Sequence, residues 1–525
     1  MPHKETCESI EERRKRVFKL TENERKEERY RHLSALSFIV VMIVFGIPLW
    51  WHTTSTYRVP FRNFKPQQKI ILPVSISNYD FTCWNCSSQS YLEPISDFLS
   101  SELQTLSQVD PLNLTFNIHR RILDSPNDLS SPESDQQFVI PIVFVPENEW
   151  TFLGRSVHLS NDKWTFVKVT AADNRKVILN IINDILIDNA HLSAIINREL
   201  KRRLHPHEVA TLPANQQKRL IWDSAAQSAD YIVQLIFAHA SSTGSNDALK
   251  PSEIVRDIRR LAAKLNGITN LRISSEHLWD FDVSKWLRKD VQERWTLAMD
   301  QMQAIITEAD HETSTVESSY PLLKLLIIDY DEPVIMLDQT GEDSNGVVVA
   351  SWGAIVSCCG RETSSVSSSL IASLRILLGL DSELPYGASK QPSPVSEWEL
   401  RRLKLRSFVD FSMNAMSSVR AIHMLIAQID NIVINDEVAD SANRAVELIE
   451  NALNKAEQTG QLDIDSVVKG HELAQRAVND QSLLALLYFP NDQKFAIYLP
   501  LFLPTLLPLL GSMFTLYKHW RHGEQ

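Results

Sequence analysis

Hydrophobic positions along this chain fall into three regimes. Near the ends lie two uncharged apolar runs, LSALSFIVVMIVFGIPLWW (33–51) and FAIYLPLFLPTLLPLLGSMFTLY (495–517). As helices, both are long enough to cross a hydrocarbon layer of about 30 Å. Between them, the first half alternates two periods. Apolar, β-branched runs at 69–76, 113–118, 138–146, 164–170, 231–239, 322–330, 333–338 and 346–359 predict strands. Leu92, Ile95, Leu99, Leu103 and Leu106 recur at helical spacing, as do apolar positions across 172–202 and 251–266, the latter with Pro251 near its start. From about 397 the period settles at three to four: Phe408, Phe411, Ala415, Val419, Ile422, Ile426, Ile429 and Val433, then Ala442, Ala445, Ile449, Ala452 and Ala456. That pattern predicts two or three long amphipathic helices. The polar stretch 125–137 reads as a surface loop, and 382–399 as the linker into the helical region. No internal repeat is visible.

Charge around the two runs sets a topology. Arg13, Arg14, Lys15, Arg16, Lys19, Arg25, Lys26, Arg29 and Arg31 precede the first run, and Lys518 and Arg521 follow the second. Basic flanks face the cytoplasm, so both termini are expected there and the bulk of the chain in a lumen. A cleaved signal peptide would be shorter, and would end at a small-x-small site. A cleaved lipid-anchor signal would end in its apolar run rather than in KHWRHGEQ. The expected organisation is a cytoplasmic N-terminus (1–32), a first transmembrane helix (33–51), a lumenal α/β region (52–396), a lumenal helical region (397–494), a second transmembrane helix (495–517) and a cytoplasmic tail (518–525). The expected fold class is α/β (α+β): a mixed sheet flanked by helices, with a C-terminal layer of long helices and one membrane anchor at each end.

Composition narrows the chemistry. The net charge of −12 disfavours a generic nucleic-acid binder. Only 14 of 525 residues are Gly, and no phosphate-cradling Gly motif occurs. His207-Glu208 and His471-Glu472 open H-E-x-x-H patterns that Thr211 and Gln475 fail to complete. Cys83 and Cys86 form a C-x-x-C that fits a structural disulfide, a pair of thiols or, in an oxidising lumen, a redox pair. Cys358 and Cys359 have no neighbouring signature of a nucleophile. Asp329, Asp331 and Glu332 read as an acidic loop. Asn85 and Asn113 head N-x-[ST] sequons, both in the expected lumenal stretch. Pro500, Pro504 and Pro508 recur every fourth residue on one face of the second run. Each frees a carbonyl that in lipid needs a partner, from a neighbouring membrane protein or from the helix's own adjustment. No catalytic residue, cofactor or metal site is assigned.

Longer motifs carry a resemblance. GIPLWWHTTSTYRVPF (46–61) and YFPNDQKFAIYLPLFLPTLLPLL (488–510) resemble the segments bordering the two membrane helices of the PIG-S family, and VVVASWGAIV (347–356) and WDFDVSKWL (279–287) fit less specifically. The resemblance covers nearly the whole chain; the long charged N-terminus departs from it. It implies a non-catalytic accessory subunit of the glycosylphosphatidylinositol (GPI) transamidase in the endoplasmic reticulum membrane. The implied partners are a caspase-like catalytic subunit, PIG-K, together with PIG-T, PIG-U, a multispanning GPI attachment protein and membrane lipid, including GPI. Two rival classes are a lumenal oxidoreductase using Cys83 and Cys86 and a lumenal lipid-binding protein.

Overall fold

The computed structural model describes residues 22–522 apart from 81–96, 123–137, 170–174, 202–227, 240–248, 314–319, 484–490 and gaps of four residues or fewer. The chain forms two compact units. The smaller comprises 1–60, 424–439 and 479–525; the larger comprises 61–423 and 440–478.

In the smaller unit, α1 (Glu22–Val41) runs through a π turn (Met42–Gly46) into α2 (Ile47–Thr54). Its segment Arg29–Leu49 is long and apolar enough to cross a membrane. A second long helix closes the chain: α11 (Asn491–His522), which keeps Pro500, Pro504 and Pro508 inside it. On α1 the half-buried positions are His32, Ala35, Phe38, Ile39, Met42 and Gly46, a stripe at helical spacing. On α11 they are Leu509, Ser512 and Leu516. The two helices pack together, while Leu36, Ile43, Phe45, Leu506, Leu510 and Phe514 stay exposed on other faces.

Three sheets, rather than one, organise the larger unit. The first contains β1 (Ile70–Asp80), β2 (Gln108–Val109), β3 (Leu112–Ile122), β4 (Val139–Pro146), β5 (Val157–Leu159), β6 (Thr165–Val169) and β16 (Ala388–Lys390), in the order β16-β5-β6-β4-β1-β3-β2. The second contains β7 (Asp230–His239), β8 (Asn270–Trp279), β11 (Leu322–Asp329), β14 (Gly346–Val349) and β15 (Gly353–Ser357), in the order β14-β15-β11-β7-β8. A small third sheet joins β9 (Arg288–Lys289), β10 (Trp295–Leu297), β12 (Val334–Leu337) and β13 (Asp343–Ser344).

The two large sheets share one topology. In each, four parallel strands lie in the order second, first, third, fourth: β3-β1-β4-β6 in one and β8-β7-β11-β15 in the other. In each, the strand just before the fourth folds back antiparallel to it, β5 on β6 and β14 on β15. The chain therefore does contain a repeat, of topology rather than of residues. Any stretch with the right alternation and turns satisfies that topology, so it leaves no common sequence spacing.

Burial explains the strand patterns. In the second sheet both faces of the central strands β7 and β11 are covered, so these read as nearly continuous apolar runs, while the edge strand β8 does not. Val233, Leu235, Phe237, Leu323, Leu325 and Ile327 face a core with α5 (Pro251–Leu265) and α7 (Thr363–Leu377). Ile236, Ala238, Leu326 and Ile328 point the other way, onto α6 (Met299–Glu312) and the small sheet. The run 346–359 is a hairpin rather than one strand. A side chain at Gly353 would collide with the Lys324 carbonyl oxygen, which accounts for the glycine in that motif. The first sheet buries Ile70, Leu72, Val74, Leu114, Phe116, Ile142 and Phe144 against α8 (Glu397–Gln428), α9 (Asp436–Thr459) and α10 (Ile464–Val478). The apolar stripe expected for these helices is this buried face: Phe408, Phe411, Ala415, Val419, Ala445, Ile449, Ala452 and Ala456.

Two expectations are corrected in detail. The helix read over 172–202 is broken: α3 (Arg175–Asn180) passes through a π turn (Ile181–Ile187), and α4 (Asn189–Lys201) starts afresh. Asp188 between them is left-handed, at φ 58°, and its carboxylate accepts from the backbone N–H of His191, capping α4. The linker 382–399 supplies β16, which pairs with β5.

A buried charge cluster ties α7 to α8. Arg375 (side chain 9% exposed) donates to both oxygens of Glu399 (1%), at 2.6 and 3.0 Å. One turn on, Arg402 donates to the carbonyls of Leu380, at 2.6 Å, and Ile185, at 3.2 Å. Arg406 donates to those of Gly379 and Leu378, both at 3.1 Å. Leu378, Gly379 and Leu380 follow the end of α7, where helices leave carbonyls without partners. Gly379 adopts φ +66°, and a side chain there would run into the Arg406 guanidinium. Glu399→Ala is expected to strand the buried Arg375 charge and cost about 3 kcal/mol, read as a lower melting temperature of the detergent-solubilised chain. An unchanged melting temperature would show the cluster to be dispensable.

Candidate functional site

Parallel α/β sheets bind ligands beyond the carboxyl ends of their strands, where the strand order reverses. In the second sheet that point lies between β7 and β11. The last residues of four strands form one row there. Register pairs Asp329 with His239 and His239 with Trp279, while the Cys358 N–H bonds to the Ile328 carbonyl. His239 (4% exposed) and Asp329 (5%) are buried, and His239 Nδ1 lies 3.1 Å from the Asp329 carboxylate. His239 Nε2 lies 3.1 Å from Nδ1 of His277. With Asp329 ionised, Nδ1 of His239 carries the donated proton. In the neutral ring Nε2 is then an acceptor, so His277 donates. The His239 ring stacks on Trp279 at 4.3 Å, and His277 stacks on Phe237 at 4.9 Å. Burial, then the neighbouring His239, lowers the His277 pKa.

This arrangement orders side chains and leaves His239 no free nitrogen. Both nitrogens of His239 are engaged, one by Asp329 and one by His277, so neither can activate the buried thiol of Cys358. The two imidazoles and the carboxylate bond to one another rather than converging on a point, and no metal-binding cluster of three such residues occurs among the described residues. The sequence reading missed His239 and His277. A signal existed: His239 continues the odd-numbered stripe Tyr231, Val233, Leu235, Phe237, and Asp329 continues Leu323, Leu325, Ile327. A polar residue ending a buried stripe needs a partner.

The smaller unit holds a second built feature, in the segment after α2. Tyr57 Oη donates to the Asp436 carboxylate, at 3.2 Å, and Arg58 Nε donates to the Ile432 carbonyl, at 3.1 Å. Ile434 N–H donates to the Tyr57 carbonyl at 3.0 Å, and Val59 N–H to that of Ile434 at 3.2 Å. Asp436, first by its hydrogen bond and then by its charge, raises the Tyr57 pKa. The Tyr-Arg pair of the sequence motif is thus a clasp.

The remaining candidates are dispersed. Cys83, Cys86, Asn85, His207, Cys359 and Asp331 lie outside the described residues. Asn113 is half-buried in β3, opposite Ile71 on one side and Gln108 on the other. Pro500, Pro504 and Pro508 are exposed along α11. Glu332 accepts from the Trp295 indole. His471 packs against Phe411 in the first core, at 5.2 Å, and its Nδ1 is buried without a hydrogen-bond partner among the described residues. Burial lowers its pKa to about 4.

Fold and sites together describe an α/β protein with a membrane-type helix, internally occupied polar clusters and, among the described residues, no nucleophile served by a base. Comparison is more specific. The family described as phosphatidylinositol-glycan biosynthesis class S protein matches residues 37–523, and the chain belongs to that family. Relatives named GPI-anchor transamidase component PIGS are 24% identical in Rattus norvegicus and 25% identical in Homo sapiens, each covering 94% of this chain and 96% of the relative.

Two outcomes are expected. His239→Asn removes the imidazole between Asp329 and His277 and should destabilise the chain by about 1–3 kcal/mol, while the activity of correctly assembled protein in cells is unchanged. Loss of activity at normal abundance would reveal chemistry at this row. For His471, the folded pKa of about 4 lies below the unfolded value of about 6.5. Protonation therefore favours the unfolded chain. Its contribution is complete above pH 6.5 and is lost as pH falls towards 4, by up to roughly 3 kcal/mol. The melting temperature of His471→Phe should fall less between pH 7 and 4.5 than that of the unaltered chain; parallel curves would contradict this.

Proposed function

We propose that this protein is an accessory, non-catalytic component of a GPI transamidase, the complex that attaches preassembled GPI to the C-terminus of precursor proteins. The observation that carries this reading is the family match, which runs from inside the first apolar helix to the end of the last. Relatives covered over 94% of this chain bear the name of a transamidase component. The occupied His239 row supports an accessory role. In this reading the nucleophilic cysteine belongs to the caspase-like partner, PIG-K, and the other partners are PIG-T, PIG-U and the multispanning attachment protein.

The same reading places the chain in the endoplasmic reticulum membrane. α1 with α2, and α11, each cross the membrane once; both termini are cytoplasmic and the larger unit is lumenal. The absence of charge across 33–51 and 495–517, with basic residues outside both, supports it. Asn85 and Asn113 are its glycan acceptors. Pro500, Pro504 and Pro508 form a face of α11 for a neighbouring membrane subunit, which supplies partners to the carbonyls they free.

Affinity purification of the tagged chain in mild detergent should recover the caspase-like subunit and the other three in near-equal amounts. Leu at Pro500, Pro504 and Pro508 together should reduce that recovery several-fold, whereas Ser at Cys83 and Cys86 should leave surface GPI-anchored protein normal once abundance is matched. Recovery of the chain alone from membranes with intact partners would end the accessory reading.

A further inference from the structure

Between α1 and α11 lies an open cavity of about 620 Å³, within the roughly 300–1,000 Å³ typical of small-ligand sites. Its lining changes character along α1. Glu27, Tyr30 and Arg31 come first, with Glu27 and Arg31 four residues apart on one face; the hydroxyl of Ser34 follows, joined by Ser512 of α11; Ala35, Phe38 and Pro508 close the apolar end. From Glu27 to Phe38 the helix rises about 16 Å. The polar headgroup layer is roughly 5–8 Å deep on each side of a bilayer. The gradient therefore covers that layer and the first part of the hydrocarbon, and the uncharged run begins at Leu33.

The charges select among amphiphiles. Among the described residues neither Glu27 nor Arg31 makes an ion pair. A cavity that offers one carboxylate and one guanidinium matches a headgroup with one cation and one anion. Arg31 suits a phosphate, with its fork of N–H donors. Glu27 accepts hydrogen bonds, which a primary ammonium can donate and a quaternary choline cannot. Lys26 and Arg29, exposed on other faces of the same stretch of α1, add a general attraction for anionic lipid at a membrane surface. We infer that this cavity binds a glycerophospholipid with a primary-amine headgroup, ethanolamine or serine, its phosphate on Arg31, its ammonium on Glu27 and an acyl chain along Ala35 and Phe38. The inference rests on the reading above that α1 and α11 both cross the membrane.

The test uses the full chain in its purified complex, reconstituted into vesicles of equal parts phosphatidylcholine and phosphatidylethanolamine. A trace of either lipid carries a photoreactive acyl chain, and labelled peptides are mapped by mass spectrometry. The ethanolamine probe should label 30–38 and 508–512 at least five-fold more than the choline probe. Glu27→Gln should bring the two probes level, Arg31→Gln should reduce both, and the cavity-filling Ala35→Phe should abolish labelling there. Both probes should also label the outward faces at Ile43, Phe45, Leu506 and Phe514 in every variant, which reports that the helices are inserted. Outward labelling with equal or absent labelling of the cavity would overturn the lipid site while leaving the span reading intact. No labelling at all between 503 and 517 would take down the span reading itself, and the lipid site with it.

Discussion

The larger unit depends on a set of buried charges. α8 passes two α/β layers whose sheets lie far apart in the sequence. It offers Leu403 to the core of the second sheet and Leu405, Phe408 and Val409 to that of the first. A helix buried on both sides must meet the polar ends of its neighbours in a dry environment. The carbonyls after α7 and the Ile185 carbonyl before α4 are such ends, and Arg402 and Arg406 satisfy them. Arg375 donates to Glu399. Apolar substitutes would fill the volume but leave those carbonyls without donors, and an unpaired polar group is among the costliest errors in a core. The cluster therefore specifies how the two layers meet as much as how strongly they adhere.

Around that joint, the same topology is built twice. The second copy places polar residues where open sheets hold ligands, between β7 and β11, and then consumes them. Asp329 takes one nitrogen of His239, His277 takes the other, and Trp279 covers the ring. The result is a braced sheet end. The smaller unit follows the same logic at the Tyr57–Asp436 clasp, where a conspicuous motif serves to fix the chain leaving α2.

Much of this was legible beforehand. Strand alternation located β1, β3, β4, β6, β7 and β11, because a strand between two cores has no solvent face and reads as an apolar run. The α8 and α9 stripes were legible because apolar residues recur every three or four positions along each long helix. β8 was not: NLRISSEHLW carries a row of polar side chains on an edge strand, and only pairing with β7 makes it a strand. The break at Asp188 escaped because its neighbours keep helical spacing on both sides. The repeat escaped because topology is conserved by backbone pairing, which many sequences satisfy.

By itself the sequence determined the local and the one-dimensional: uncharged runs of membrane length, the sign of the flanking charge, the periods of strand and helix, and motifs long enough to point to a family. These follow from short-range sterics and from transfer between water and an apolar phase, which act residue by residue. Tertiary structure alone decided which polar residues meet. His239 finds Asp329 across 90 positions, and Tyr57 finds Asp436 across 379. Hydrogen bonds act over about 3 Å, so no spacing along the chain reveals such a pair until the strands and helices have brought its members together.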